Sequence, residues 1–359
     1  MPTLENDRLV FRFPQIEEQA SFSIEFQRTL RIPDSKKTYP LPPGLGAFPL
    51  RYVEDHADHL PVATTSRGGV ILPMWQAEAM WLSFRNVGPD WSLPFPVAIK
   101  IAAGKINAVT GDAWRPGLHR QPQDYVVSPE QPWLDGFAIE KGVIRQFVAM
   151  PLGEGYSVEE QLTGEAEWGG LQILVSPLKA EVWKAKRAAW EEERRIAAER
   201  WSDELDRPMF LRRAPYDVVC SMREPTMMGL GAGGRMRQSI SKDTHKLDDW
   251  DFGAAERVFV TLAHAKDWQA ISGEAATNMP PTAKDYSKAG LPWFEYYGKD
   301  QPVLAGSLRL ARIKSIANLY KKFTGEKLPD SDDVETGKAV HLGPGPMGPR
   351  PVRSSPSWD

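Results

Sequence analysis

Cysteine is almost missing. Cys220 stands alone in 359 residues, which excludes an internal disulfide framework and a cysteine-cluster metal site. An excess of one charge sign is missing too. With 44 Lys and Arg against 47 Asp and Glu, the formal net charge is −3, so no overall field draws the chain to nucleic acid or to an anionic membrane. No apolar run approaches the roughly 20 residues that span a bilayer. The opening MPTLENDRLV lacks the basic-then-apolar pattern of a secretory signal. A soluble, cytoplasmic protein is the expectation, with no membrane partner and with nucleic acid disfavoured.

Tryptophan and proline are abundant, at 13 and 31 residues, within an otherwise ordinary globular composition. Such a chain is expected to hold many fixed loops with aromatic side chains rather than to form a plain helical bundle. Its length allows one large or two medium domains.

The strongest helix signal runs from Ser176 to Arg207. Ser176-Pro177 reads as an N-cap followed by proline at the first helical position, and Pro208 stops the run. At helical spacing two apolar stripes emerge, one of Leu178, Val182, Ala185, Ala189 and Ile196, the other of Trp183, Trp190, Ala197 and Trp201. Glu193 interrupts the first stripe, so sustained coiled-coil heptads are absent. The pattern predicts a strut between two packed layers, with a partner-binding helix as the alternative.

Before this helix the chain reads as antiparallel β. Leu9 to Phe13 and Ser21 to Ile32 are strand-like, and the second places Phe22, Ile24, Phe26, Leu30 and Ile32 on one face. Pro73 to Phe84 reads as a short buried helix. Val97 to Val109 reads as a strand pair bent at Gly104. Phe137–Ile139 and Val143–Ala149 form a hairpin through Glu140-Lys141-Gly142, and Leu171–Val175 is a strand. After the helix come strands at Tyr216–Cys220 and Val258–Leu262. Helices are expected at Thr282–Ala289, closed by Gly290, and at Ala305–Phe323. The fold class is α+β: a β-rich front half (1–175), one long central helix (176–207), a mixed α+β back half (208–326) and a disordered tail (327–359) poor in side chains to bury.

The most distinctive candidate site is Met228 to Arg237. Gly229, Gly231, Gly233 and Gly234 let backbone N–H groups converge on an anion, and Arg235 and Arg237 supply a planar clamp. The spacing Gly229, Gly231, Gly234 formally fits a dinucleotide fingerprint. Its context does not, because no helix opens after it and no Lys-Ser/Thr follows, so no cofactor is identified. A tightly packed turn would use the same glycines.

Other candidates are weaker. His56 and His59 share a helical face with carboxylates nearby, as zinc ligands do, but no distant ligand is identifiable and a solvated turn reads the same way. Lys100, Lys105, Arg115, His119 and Arg120, interleaved with Trp114 and Tyr125, form a locally basic stretch of the kind that meets phosphates. Glu154, Glu159, Glu160, Glu165 and Glu167 would need to converge to bind a cation or do acid–base work. Cys220 follows Val218-Val219 and reads as a buried thiol.

At RGGVILPMWQAEAMWLSF, AAGKINAVTG, GLGAGGRMRQ and GLPWFEYY the sequence resembles an uncharacterised, mostly bacterial protein family. The resemblance implies no activity and no catalytic residues. Two readings of function follow. One is a soluble protein that acts by binding a protein partner or ligand, with no catalytic constellation. The other is an enzyme for an anionic small molecule, with the Gly229–Arg237 loop as cradle. A deep pocket joining that loop to His119, His245 or His264 would separate them.

Overall fold

A computed structural model describes residues 1–90, 92–200, 225–296, 302–337 and 339–342. Alternation builds most of it. In the strand Ser21–Thr29 the side chains of Phe22, Ile24 and Phe26 are fully buried while the residues between them are half-buried. This strand pairs with Arg8–Arg12 on one side and, in unbroken register from Ser21↔Val87 to Thr29↔Ala79, with Ala79–Val87 on the other.

The next strands extend the sheet. Ala79–Val87 reaches Val143–Pro151, which pairs along its length with Met227–Arg237. Met227–Arg237 meets Glu256–His264, then Leu171–Pro177, then Val97–Ala103. Among the described residues 17 strands join this one sheet. The pairings are antiparallel except at two places, Glu256–His264 beside Val70–Met74 and Met227–Arg237 beside Thr38–Tyr39. Strands from before and after the expected strut thus belong to a single β system. Its main core is aromatic-rich, with Phe11, Phe13, Phe22, Phe26, Phe48, Phe95 and Tyr125 all out of solvent. Among the described residues no helix is long and apolar enough to cross a membrane.

Several local expectations hold. The hairpin Gly136–Glu140 with Val143–Pro151 turns at Gly142. Val97–Ala103 folds back on Ile106–Asn107 through Gly104, whose φ of +55° puts it in the left-handed region where glycine costs least. The helix Ala283–Lys288 is capped by the hydroxyl of Thr282, which accepts from the Asp285 N–H.

Others change. Pro73–Phe84 is not a helix. Val70–Met74 and Ala79–Val87 are strands, with a turn at Ala77 (φ +64°) between them. A strand apolar on both faces lacks the alternation that marks it in sequence. Ala305–Phe323 divides into Leu308–Ala311 and Ile316–Thr324, the second started afresh by the hydroxyl of Ser315.

The expected helix from Ser176 starts later, at Ala180, and is described to Arg200. Ser176 and Pro177 stay in the strand Leu171–Pro177, opposite Ala98 and Val97, because the ladder continues through them. Of the two stripes, Trp183 is buried against Phe95, with ring centroids 4.9 Å apart, while Val182 and Trp190 are only partly covered. Residues 191–196 are exposed. The helix therefore packs through its first turns, and this is not the geometry of a strut with both stripes covered. Residues 201–207, the Tyr216–Cys220 strand and Cys220 lie outside the described residues.

The stretch from Lys327 buries more than its composition suggests. Leu328 packs with Val148, Met150 and Ile316, and Val334 packs with Tyr39 and Trp293. Val340–Leu342 pairs with Phe294–Tyr296. Residues 343–359 lie outside the described residues.

Candidate functional site

The Gly229–Arg237 segment is a strand, not a loop. Its backbone runs in register with Val143–Pro151, from Met228↔Pro151 to Arg237↔Val143, with one bulge. The glycines are there because neighbours occupy the space of a side chain. A Cβ on Gly231 would lie 2.5 Å from Cγ2 of Ile316, and one on Gly233 would lie 2.6 Å from Cγ2 of Val148. On Gly234 it would meet the Pro33 carbonyl oxygen at 2.5 Å, and on Gly229 it would touch Ser157 and Leu152. The two arginines already have acids. Arg235 Nη2 lies 2.9 Å from Glu140 Oε2, and Arg237 pairs with Glu295. Arg237 also borders a small pocket of about 160 Å³ with Gln238, Ser239 and Tyr296.

The larger concavity, about 650 Å³, lies elsewhere. None of Gly229–Arg237 lines it. One wall is the loop that follows the Gly104 hairpin. Buried Asn107 organises this loop: its Oδ1 accepts from the N–H groups of Val109 and Thr110, and its Nδ2 donates to the Asp124 carbonyl at 2.7 Å. Further along stand Arg120, Gln121, Pro122 and Gln123, with a cis bond between Gln121 and Pro122.

The second wall is Lys242-Asp243. The Asp243 side chain is fully buried. It accepts from the Tyr125 hydroxyl at 2.6 Å and from Trp250 Nε1 at 3.0 Å, both on Oδ2, and from the His245 N–H at 2.8 Å on Oδ1. Burial alone would raise its pKa, but the hydrogen bonds from His245, Tyr125 and Trp250 outweigh it and hold the carboxyl below its usual range. Gln123 binds this wall to the first, accepting from the Asp243 N–H at 2.9 Å. The third wall is Leu304 to Ser307, where the Ser307 hydroxyl donates to the Thr110 carbonyl.

The cleft is lined by two cations, Arg120 and Lys242, and two carboxylates, Asp243 and Asp112. Asp243 is engaged by Tyr125, Trp250 and His245, and Asp112 faces Arg309 Nη1 at 3.4 Å. Among the described residues Arg120 donates only to the backbone carbonyls of Asp243 and His245. Among the described residues neither Arg120 nor Lys242 has a carboxylate within ion-pair distance. The rest of the lining includes the apolar Val109, Pro122, Leu304 and Ala305. Such a cleft can hold an anionic group at one end and an apolar body at the other.

The three histidines have separate surroundings. His119 Nδ1 lies 2.9 Å from Asp124 Oδ2, at the base of the loop that carries Arg120. The His245 ring packs on Trp250 with centroids 5.1 Å apart. His264 Nδ1 accepts from the Lys266 N–H at 3.0 Å, and burial lowers its pKa. None of the three borders the Arg237 pocket.

Of the other candidates, His56 and His59 lie in a 3-10 turn, Glu54–His59. Among the described residues no group of three or more His, Cys, Asp or Glu is placed to hold a metal ion. The glutamates do not converge. Glu160 completes a capping box with Ser157, Glu167 pairs with Lys105, and Glu159 accepts from the N–H groups of Lys105, Trp168 and Gly169. Sequence reading found Arg120 but missed Lys242 and Asp243, which lie about 120 positions away and carry no motif. Comparison with protein-family models, with curated proteins and with solved structures finds no match.

Proposed function

We propose that the chain acts by binding a small anionic ligand with an apolar body in the Arg120–Lys242 cleft, and performs no chemistry on it. One observation carries the reading: two cations, Arg120 and Lys242, line a cleft of about 650 Å³, and among the described residues neither is within ion-pair distance of a carboxylate, while the lining carboxylates Asp112 and Asp243 are engaged by other groups. Arg120 is held in place by the carbonyls of Asp243 and His245, so its guanidinium is preorganised for a planar anion. Among the described residues, no hydroxyl in the cleft is hydrogen-bonded to an imidazole, and the carboxylate of Asp243 is spent on orienting Tyr125 and Trp250. The anion chemistry expected of Gly229–Arg237 is better supplied here, because Arg235 and Arg237 are already paired with Glu140 and Glu295.

A thermal-shift screen of phosphate, nucleotides and aliphatic or aromatic carboxylates tests this. A ligand at 100 times its Kd stabilises the native state by about 2.7 kcal/mol, a rise of several degrees in Tm. Lys242→Ala and Arg120→Lys should each diminish that rise while leaving the ligand-free Tm nearly unchanged. A response that survives both variants but disappears in Arg237→Ala would move the anion site to the glycine strand. A flat screen would remove the cleft reading altogether.

A further inference from the structure

The sheet has a second feature, on the residues that alternate with Ile99, Ile101 and Ile173. Three neighbouring strands set it up. Register places Lys100, Leu174 and Arg257 side by side, and in the next row Ala102, Gln172 and Phe259. Trp114 and Trp168 come in from the flanking loops. The result is a continuous alternation of cations and rings. Lys100 Nζ lies 4.9 Å from the Trp114 centroid. Arg257 Cζ lies 5.1 Å from Trp114 and 4.6 Å from Phe259. Phe259 stacks on Trp168 at 6.0 Å and 17°, and Trp168 is approached by Arg67 Cζ at 5.0 Å and Lys105 Nζ at 5.1 Å.

The lysines of this run are paired, and Glu159 and Glu167 lie in the electrostatic surroundings of Arg67 without, among the described residues, an ion pair to it. Lys100 has Asp124 and Lys105 has Glu167. Arg257 donates to the neutral Gln172, and Arg67 donates to the carbonyls of Ala63 and Trp168. Arg115 is exposed beside them, and its carbonyl accepts from Lys100 Nζ at 2.6 Å. Among the described residues none of these three guanidiniums has a carboxylate within ion-pair distance. The net charge of −3 does not count against a local site, because screening limits each charge to about 8 Å at physiological salt.

We propose that this face binds single-stranded nucleic acid, with Arg67, Arg115 and Arg257 on phosphates and with bases stacked on the half-exposed Trp114, Trp168 and Arg257 planes. The exposed Arg115 and Arg257, with half-exposed rings beside them, suit an extended chain better than a compact ligand. Alternating rings and guanidiniums offer both things a single strand presents, flat bases and regularly spaced phosphates. An acidic peptide would use the arginines and leave the rings without a role.

The test is fluorescence anisotropy of a labelled 20-mer of thymidylate on the full chain, between 50 and 200 mM salt. Three phosphate contacts give a log–log salt slope of about −2. The Arg115 side chain makes no hydrogen bond or ion pair among the described residues, and Arg115→Glu should weaken binding about tenfold, with Tm measured because Lys100 lies beside it. Arg257→Gln combined with Arg67→Gln should do the same and flatten the slope, with Tm measured to verify folding. Lys141→Ala, an exposed lysine in the Glu140–Gly142 turn, should leave the anisotropy unchanged. The proposal is overturned by absence of binding at 50 mM salt, by equal displacement with polyglutamate, by equal affinity for duplex, by full binding in Arg115→Glu, or by equal loss in Lys141→Ala.

Discussion

The ammonium of Lys100 lies 2.7 Å from Oδ2 of Asp124, and the two side chains are only 1% and 4% exposed. The remaining Lys100 donors go to the carbonyls of Arg115 and Gly117, so the pair fixes the loop that reaches the cleft. Burial pulls the Lys100 pKa below its usual range, against the effect of Asp124. Breaking such a pair strands a charge. Lys100→Met is expected to cost about 3–5 kcal/mol, and Lys100→Met with Asp124→Leu less than the sum of the single changes. Urea denaturation of the four proteins in this cycle checks it. Additive losses would mean that the two groups are not coupled.

Stability is expected to fall between about pH 4 and pH 7 through Asp135. Burial raises its pKa to about 7, and only partial compensation comes from Trp133 Nε1, which donates to Oδ2 at 2.6 Å. Below about pH 4 the carboxyl is protonated in both the folded and the unfolded chain. As pH rises, the unfolded chain ionises first, so native stability drops until the folded group also ionises near 7. The loss amounts to a few kcal/mol. Asp135→Asn should flatten the difference in Tm between pH 5 and pH 8. An unchanged pH profile would show that the group ionises normally.

The glycine strand yields a contrast between packing and charge. Gly231→Val should be strongly destabilising, since even a Cβ would stand 2.5 Å from Ile316 and 3.0 Å from the Tyr156 carbonyl oxygen. Arg235→Ala removes a pair with a half-exposed Glu140 and should cost about 1 kcal/mol or less. Thermal denaturation of the two variants decides. The reverse order would mean that the arginine, not the glycine, holds this strand in place.

Leu328→Ala should cost about 2–5 kcal/mol, as expected for a core leucine, although composition places it in a tail. Chemical denaturation measures it. A cost under 0.5 kcal/mol would detach this segment from the body.

Local chemistry determined much of the fold. The alternation from Phe22 to Ile32, the Gly104 and Gly142 hairpins and the Thr282 cap could be read from the sequence, because neighbours within a few residues decide them. Tertiary structure decided the rest. A strand such as Val70–Met74, buried on both faces, has no alternation to read. Glycines between Gly229 and Gly234 look the same whether the backbone approaches an anion or the side chains of Ile316 and Val148; only the packing partner tells, and it comes from more than 80 residues away in either direction. The cleft follows the same rule. Arg120 belongs to a visibly basic stretch, but the carbonyls that hold its guanidinium come from Asp243 and His245, and Asp243 is brought to it by hydrogen bonds to Tyr125 and Gln123 that no sequence spacing records.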